Sequence, residues 1–185
     1  GVVTLPAGIT TFFVNAPTTQ DTNFEGGETF SLSAAISGGN SGSGTATIRD
    51  DGTGNVFNPN GTIDPTATSN DDRTLTVSSP NVNEGSTYAV FTVTANKGQT
   101  LNLSLGNGSA INNTGSSIAT DGSVDFGPNL QISTDGGTTW GSYTPGFTVP
   151  GSGTGPASIL VRTTVVNDTV FENAQNFTLT AAYTS

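Results

Sequence analysis

TYAVFTVTA, residues 87–95, alternates apolar with hydroxyl-bearing or small side chains along its length. That period of two puts one set of side chains on each face of an extended strand, and Val, Phe, Tyr and Thr suit a pleated backbone. Comparable runs lie on either side: TFFVNA (11–16), TFSLSAAI (29–36), GTATIRD (44–50), RTLTVSS (73–79), QTLNLSLG (99–106), SVDFGP (123–128), LQISTD (130–135), SILVRTTVV (158–166) and NFTLTAAY (176–183). Gly, Pro or Asp bounds most of them, and no segment shows the i, i+3, i+4 spacing of a helix. The expected fold is all-β, built as antiparallel sandwiches.

Composition narrows the function classes. Four Lys+Arg against 14 Asp+Glu give a net charge of −10, which argues against a nucleic-acid partner, since phosphates call for a basic face. The chain has no Cys and no His, so Ser-His-Asp, Cys-His and the usual zinc sites are beyond its reach. A hard cation with oxygen ligands remains open to it. No apolar run is long enough to span a membrane as a helix, and Gly1 reads as a processed or fragment end.

The chain also repeats itself. QDTNFEGGETFSLSAA (20–35) returns as NDTVFENAQNFTLTAA (167–182), with Asp21 matching Asp168, Glu25 matching Glu172 and Phe30 matching Phe177. Upstream, VTLPAGITTFFV (3–14) corresponds to FTVPGSGTGPASILV (147–161). Self-similarity on this scale marks an array of structural units. The expected division is 1–52 as the C-terminal half of one sandwich, 53–72 as a Gly/Pro/Asn/Thr-rich linker, and 73–185 as a second sandwich lacking its last strand.

NEGS (83–86), TDGSVDFGP (120–128), NDTVFENAQNFTLT (167–180) and, in the first unit, GTATIRDDGTG (44–54) follow one another in an order that resembles the Calx-beta domain and the related Ig-like repeats of large bacterial surface adhesins. The resemblance implies Ig-like sandwiches in tandem, with Ca²⁺ held in loops at one end. It implies Glu84, Asp125, Asp168 and Glu172 as ligands in the second unit, and Asp21, Glu25, Asp50 and Asp51 in the first. Where the family often carries three acids after the last strand, this chain has Asp50-Asp51-Gly52. Independently of the family, Ca²⁺ takes six to eight oxygens, and the adjacent pairs Asp50-Asp51 and Asp71-Asp72 would repel unless solvated or sharing a cation. Asp-Gly pairs are also plain turn formers, the reading given to Asp121-Gly122 and Asp135-Gly136.

STDGGTTW (133–140) fits the Asp-box pattern of sialidase propellers. One copy without a basic cluster reads as a hairpin device rather than a glycosidase signature. The acids sit in polar Asn/Gly/Thr-rich loops that favour ionisation, whereas a catalytic carboxylic acid needs an apolar pocket, so the chain is not expected to be an enzyme. Six N-x-[ST] sequons, at Asn60, Asn102, Asn107, Asn112, Asn167 and Asn176, are a weak flag in so Asn- and Thr-rich a sequence. The expected role is a Ca²⁺-rigidified structural repeat of an extracellular bacterial adhesin or filament, whose partners are neighbouring copies of itself. Head-to-tail strand complementation is one way to join them. The alternative is a carbohydrate-binding module, with Trp140, Tyr143 and Tyr88 as contacts to surface glycans.

Overall fold

The computed structural model describes residues 1–112 and 124–184, and among these there is no helix. Contacts divide the chain into two units, Gly1–Asp72 and Arg73–Ser185, so residues 53–72 group with the first unit. All strand pairing is antiparallel.

The first unit contains one hairpin, β1 (Glu28–Ala35) against β2 (Ser41–Ile48), with Phe30 opposite Ala46 and Leu32 opposite Gly44. Ile36 donates its backbone N–H to the Asn40 carbonyl at 2.9 Å, and Gly38, at φ 70°, supplies the left-handed step of the turn. Every residue of both strands is exposed. TFFVNA (11–16) was expected as a strand and is not one. By the internal repeat this segment aligns with a strand that, in the second unit, lies hydrogen-bonded between two others. Among the described residues of the first unit it has no such neighbours, and Phe12, Phe13 and Val14 stay exposed. Residues 53–72 are tied back by bridges between Asp51 and Asp71 and between Phe57 and Ile63.

The second unit holds the core. One sheet runs β3 (Leu75–Val77), β4 (Tyr88–Asn96), β9 (Pro156–Thr164), β6 (Gln131–Ser133), β7 (Gly141–Ser142); the other runs β10 (Phe177–Tyr183), β5 (Thr100–Asn107), β8 (Phe147–Thr148). Alternation decides what is buried: Ala89, Phe91, Val93 and Ala95 of β4 face inward, as do Ile159 and Val161 of β9. They meet Leu101, Leu103 and Leu179 from the second sheet in a single core, an arrangement consistent with a β-sandwich. Phe177 stacks on Phe126 at 4.1 Å between ring centroids and meets Phe91 edge-on at 5.8 Å. SVDFGP (123–128) contributes only an isolated bridge, Phe126 to Val165; Ser123 and the turn read at Asp121-Gly122 lie outside the described residues.

A buried polar knot closes one end of this unit. Asn96 accepts from the Thr74 N–H, donates its side-chain amide to the Thr154 carbonyl at 2.6 Å, and donates its backbone N–H to the Tyr183 hydroxyl at 2.8 Å. That hydroxyl donates in turn to the Thr74 carbonyl. With Asn96 only 3% exposed, its partners are required rather than optional.

Candidate functional site

Four of the sequence candidates come together in the first unit. Asp21, Glu25, Asp50 and Asp72 line one cleft of about 190 Å³, with Thr18, Asn23 and Asn70 adding neutral oxygens. Glu28 lines it too, although the sequence reading did not single it out as a ligand; the clue was its replacement by Gln175 in the second copy. The loops are held by their own backbones. Asp21 accepts from the Asn23 N–H at 2.8 Å, Asp50 Oδ2 from the Glu25 N–H at 2.8 Å, and the Asp50 carbonyl from the Asp72 N–H at 2.9 Å. Asp72 accepts from the Asn70 side-chain amide at 2.6 Å.

Like charge is concentrated here. The Glu25 carboxyl is pushed above its ordinary value by Glu28 first, then by Asp21, then by loss of solvent and by Asp50. Asp50 Oδ1 is buried and meets no hydrogen-bond donor among the described residues. An all-oxygen donor set, crowded negative charge and an orphaned carboxylate oxygen fit a hard cation in chemistry. The fit is incomplete in geometry, because among the described residues no three acidic side chains converge on one point.

Asp51 and Asp71 face other tasks. Asp51 accepts from the Thr53 N–H at 3.0 Å and pairs with Arg49 at 3.4 Å, while Asp71 packs against Gly52, where a Cβ would sit 3.2 Å from Asp71 Oδ2. The second-unit candidates are spread out. Glu84 accepts from the Asp168 N–H at 3.0 Å, and Asp168 accepts from the Val170 N–H at 2.7 Å, so these two are neighbours. Asp125 is occupied elsewhere, accepting from the Ile111 N–H at 2.6 Å, and Glu172 is half-buried in the segment before β10.

No family model matches the chain, and no curated protein or solved structure is similar to it.

The aromatic candidates resolve into distinct roles. STDGGTTW forms the β6–β7 hairpin: Asp135 accepts from the Thr139 N–H at 2.9 Å and from its hydroxyl at 2.6 Å, and the Ser133 hydroxyl donates to Asp135 at 2.7 Å. These bonds hold the Asp135 carboxyl down to about 2, the Thr139 hydroxyl contributing most. Gly136 and Gly137, at φ 72° and 94°, make the reversal possible. The Trp140 indole N–H donates to the Gly137 carbonyl at 3.0 Å, and its ring covers the Arg162 guanidinium with 4.0 Å from Cζ to centroid. The Tyr88 ring lies against the same guanidinium at 3.8 Å. Tyr143 packs against the core and accepts from the Leu103 N–H at 2.8 Å. Arg162 escaped the sequence reading because only the fold brings residues 88, 140 and 162 together.

Proposed function

We propose that the chain is a structural part of a repetitive extracellular bacterial adhesin or filament, composed of Calx-beta-like, Ig-like sandwiches in tandem. In this reading copies associate through the free edge of β10, and Ca²⁺ stiffens the acidic loops of the first unit. One observation carries the proposal. Phe30 and Leu32 are 39% and 51% exposed on β1, whereas Leu179, the repeat counterpart of Leu32, is 7% exposed, and Phe177, the counterpart of Phe30, lies among aromatic rings. The same residues have a core in one unit and none in the other. Burying each such side chain contributes about 1.5–3 kcal/mol, a strong drive toward association.

The repeat also suggests the form of that association. β1 is paired with β2, while among the described residues β10, its copy, is paired with β5 alone and has a second edge open. A β2 strand from another copy fits there, and an open edge recruits such strands. Carrying the β1–β2 register across sets Phe177 opposite Ala46, Thr178 opposite Thr45 and Leu179 opposite Gly44 of the neighbour. The reading assigns the chain no reaction.

The test is a cross-link. The double variant Thr45→Cys/Thr178→Cys, oxidised at increasing protein concentration, gives a ladder of disulfide-linked multimers on a non-reducing gel. The pair Thr45→Cys/Thr180→Cys, displaced by two residues along the strand, gives far less. Chains that stay monomeric at every concentration, or that link equally in both registers, refute the assembly.

A further inference from the structure

The remaining feature without a role is Arg162, in the second unit. Arg162 stands on the outer face of the larger sheet, on β9, with the rings of Tyr88 and Trp140 against its guanidinium. Its Nε donates to Gln131 Oε1 at 2.8 Å, which fixes the plane of the fork. Among the described residues neither Nη group meets a hydrogen-bond acceptor, and no carboxylate lies within ion-pair distance of it. The chain carries 14 acids and only four basic residues, yet no acid among the described residues pairs with this cation.

Arg162 also borders a cleft of about 650 Å³, where it is the only charged residue among the described ones. The rest of the lining is neutral: Tyr88, Asn129, Gln131, Ser142 and Thr164 supply polar groups, and Leu103 with its neighbours an apolar floor. A cleft of several hundred cubic ångströms suits a sugar of one or two rings. Tyr88 and Trp140 each lay one ring face against the guanidinium and hold it in place. What remains on offer is the N–H edge of a planar fork, whose geometry matches a carboxylate bidentately. The surrounding amides and hydroxyls match a hydroxylated body attached to that carboxylate.

We propose that this cleft is a binding site for an acidic saccharide, a uronic acid or similar carboxylated sugar, with Arg162 gripping the carboxylate and Tyr88, Trp140 and Gln131 holding the arginine in place. The site belongs to the second unit alone and is independent of the assembly described above.

The test titrates the ¹⁵N-labelled chain with galacturonic acid oligomers, with galactose oligomers and with acetate, following amide shifts around Gln131, Ser142 and Arg162. Acidic oligomers are expected to shift these resonances, the neutral oligomers not at all, and acetate only at much higher concentration. Arg162→Gln is expected to weaken binding by roughly tenfold or more, the scale of losing charge-assisted hydrogen bonds. Gln131→Glu retains the clasp but gives Arg162 an internal carboxylate; it should weaken binding while preserving the melting curve, which separates lost binding from lost folding. Equal affinity for neutral and acidic oligomers overturns the role of Arg162. Equal affinity for acetate overturns the saccharide, and no shift at millimolar acidic oligomer overturns the site.

Discussion

Replacing Phe177 by alanine removes a ring that stacks on the fully buried Phe126 and meets Phe91 edge-on, so the damage falls on both sheets at once. Truncating a packed phenylalanine costs about 3–5 kcal/mol, and aromatic pairs contribute about 0.5–1.5 kcal/mol beyond the buried area. Phe177 is itself only partly buried, which places the expected loss near the lower end, about 3 kcal/mol. For a domain of this size that lowers Tm by about 10–15 °C. The sole tryptophan, Trp140, lies in the same unit, so its fluorescence reports the transition directly. The companion variant is Phe30→Ala, the same residue type at the matching place in the repeat. Phe30 is exposed on an isolated hairpin, so in dilute solution its loss should stay within about 0.5 kcal/mol. At concentrations where copies assemble, Phe30→Ala should weaken association and leave the Trp140 transition alone. If Phe30→Ala lowers any melting transition of the dilute chain as far as Phe177→Ala does, the exposed hairpin is misread and the argument for association fails.

The Asp135 carboxyl, held down to about 2 against an ordinary 3.8, adds stability to the hairpin that is fully present above about pH 4 and is lost as pH falls through about 2. Trp140 fluorescence should follow that loss, and Asp135→Asn should remove the pH dependence between those values. Gly108→Ala would place a methyl carbon 2.3 Å from the Asn176 carbonyl oxygen, a backbone clash that no rotamer relieves, whereas a methyl at Gly155 meets nothing within 4 Å. Thermal denaturation should show a loss of several degrees for the first and almost none for the second. Tyr183→Phe takes from Asn96 and Thr74 their shared hydroxyl partner and strips the buried Asn96 N–H of it; the expected cost is about 1–3 kcal/mol in a urea titration.

Strand identity was legible wherever a strand has a sheet to join. TYAVFTVTA reads as β4 and NFTLTAAY as β10 because their alternation matches a face that is in fact buried. TFFVNA carries the same pattern and fails, since periodicity states which face could be buried and cannot say whether neighbours exist to bury it. The acids show a similar limit. Asp21, Glu25 and Asp50 were legible as a group through the repeat and the family resemblance, and they do border one cleft. Asp125 looked equivalent in the sequence, yet it is consumed by a backbone N–H that only the folded loop presents. The arginine clasp depends on three residues far apart in the chain and left no local signal.

The two copies of the acidic loop differ in a way that bears on the cation. Asp21, Glu25 and Glu28 of the first become Asp168, Glu172 and Gln175 of the second, and the first cleft adds Asp50 and Asp72 from outside the repeat segment. Repulsion from Glu28 is the largest force raising the Glu25 carboxyl, so ionised Glu25 works against the folded loop at neutral pH. Two things relieve that repulsion: protonation as pH falls through the raised value, or a divalent cation. A cation bound only to the folded loop stabilises it by about 2.7 kcal/mol at a concentration 100 times Kd. Calcium titrated into the ¹⁵N-labelled chain should therefore shift amides of residues 18–28 and 48–52 and leave 168–175 largely unmoved. Glu28→Gln, which copies the second loop into the first, should weaken that response without unfolding the hairpin, because Glu28 is exposed at the strand start. Identical spectra in EDTA and in excess Ca²⁺ would remove the cation from the proposal and leave the acidic cleft as solvated charge. Equal shifts in both loops would instead show that loop backbone and asparagine oxygens, rather than the count of carboxylates, decide where the ion goes.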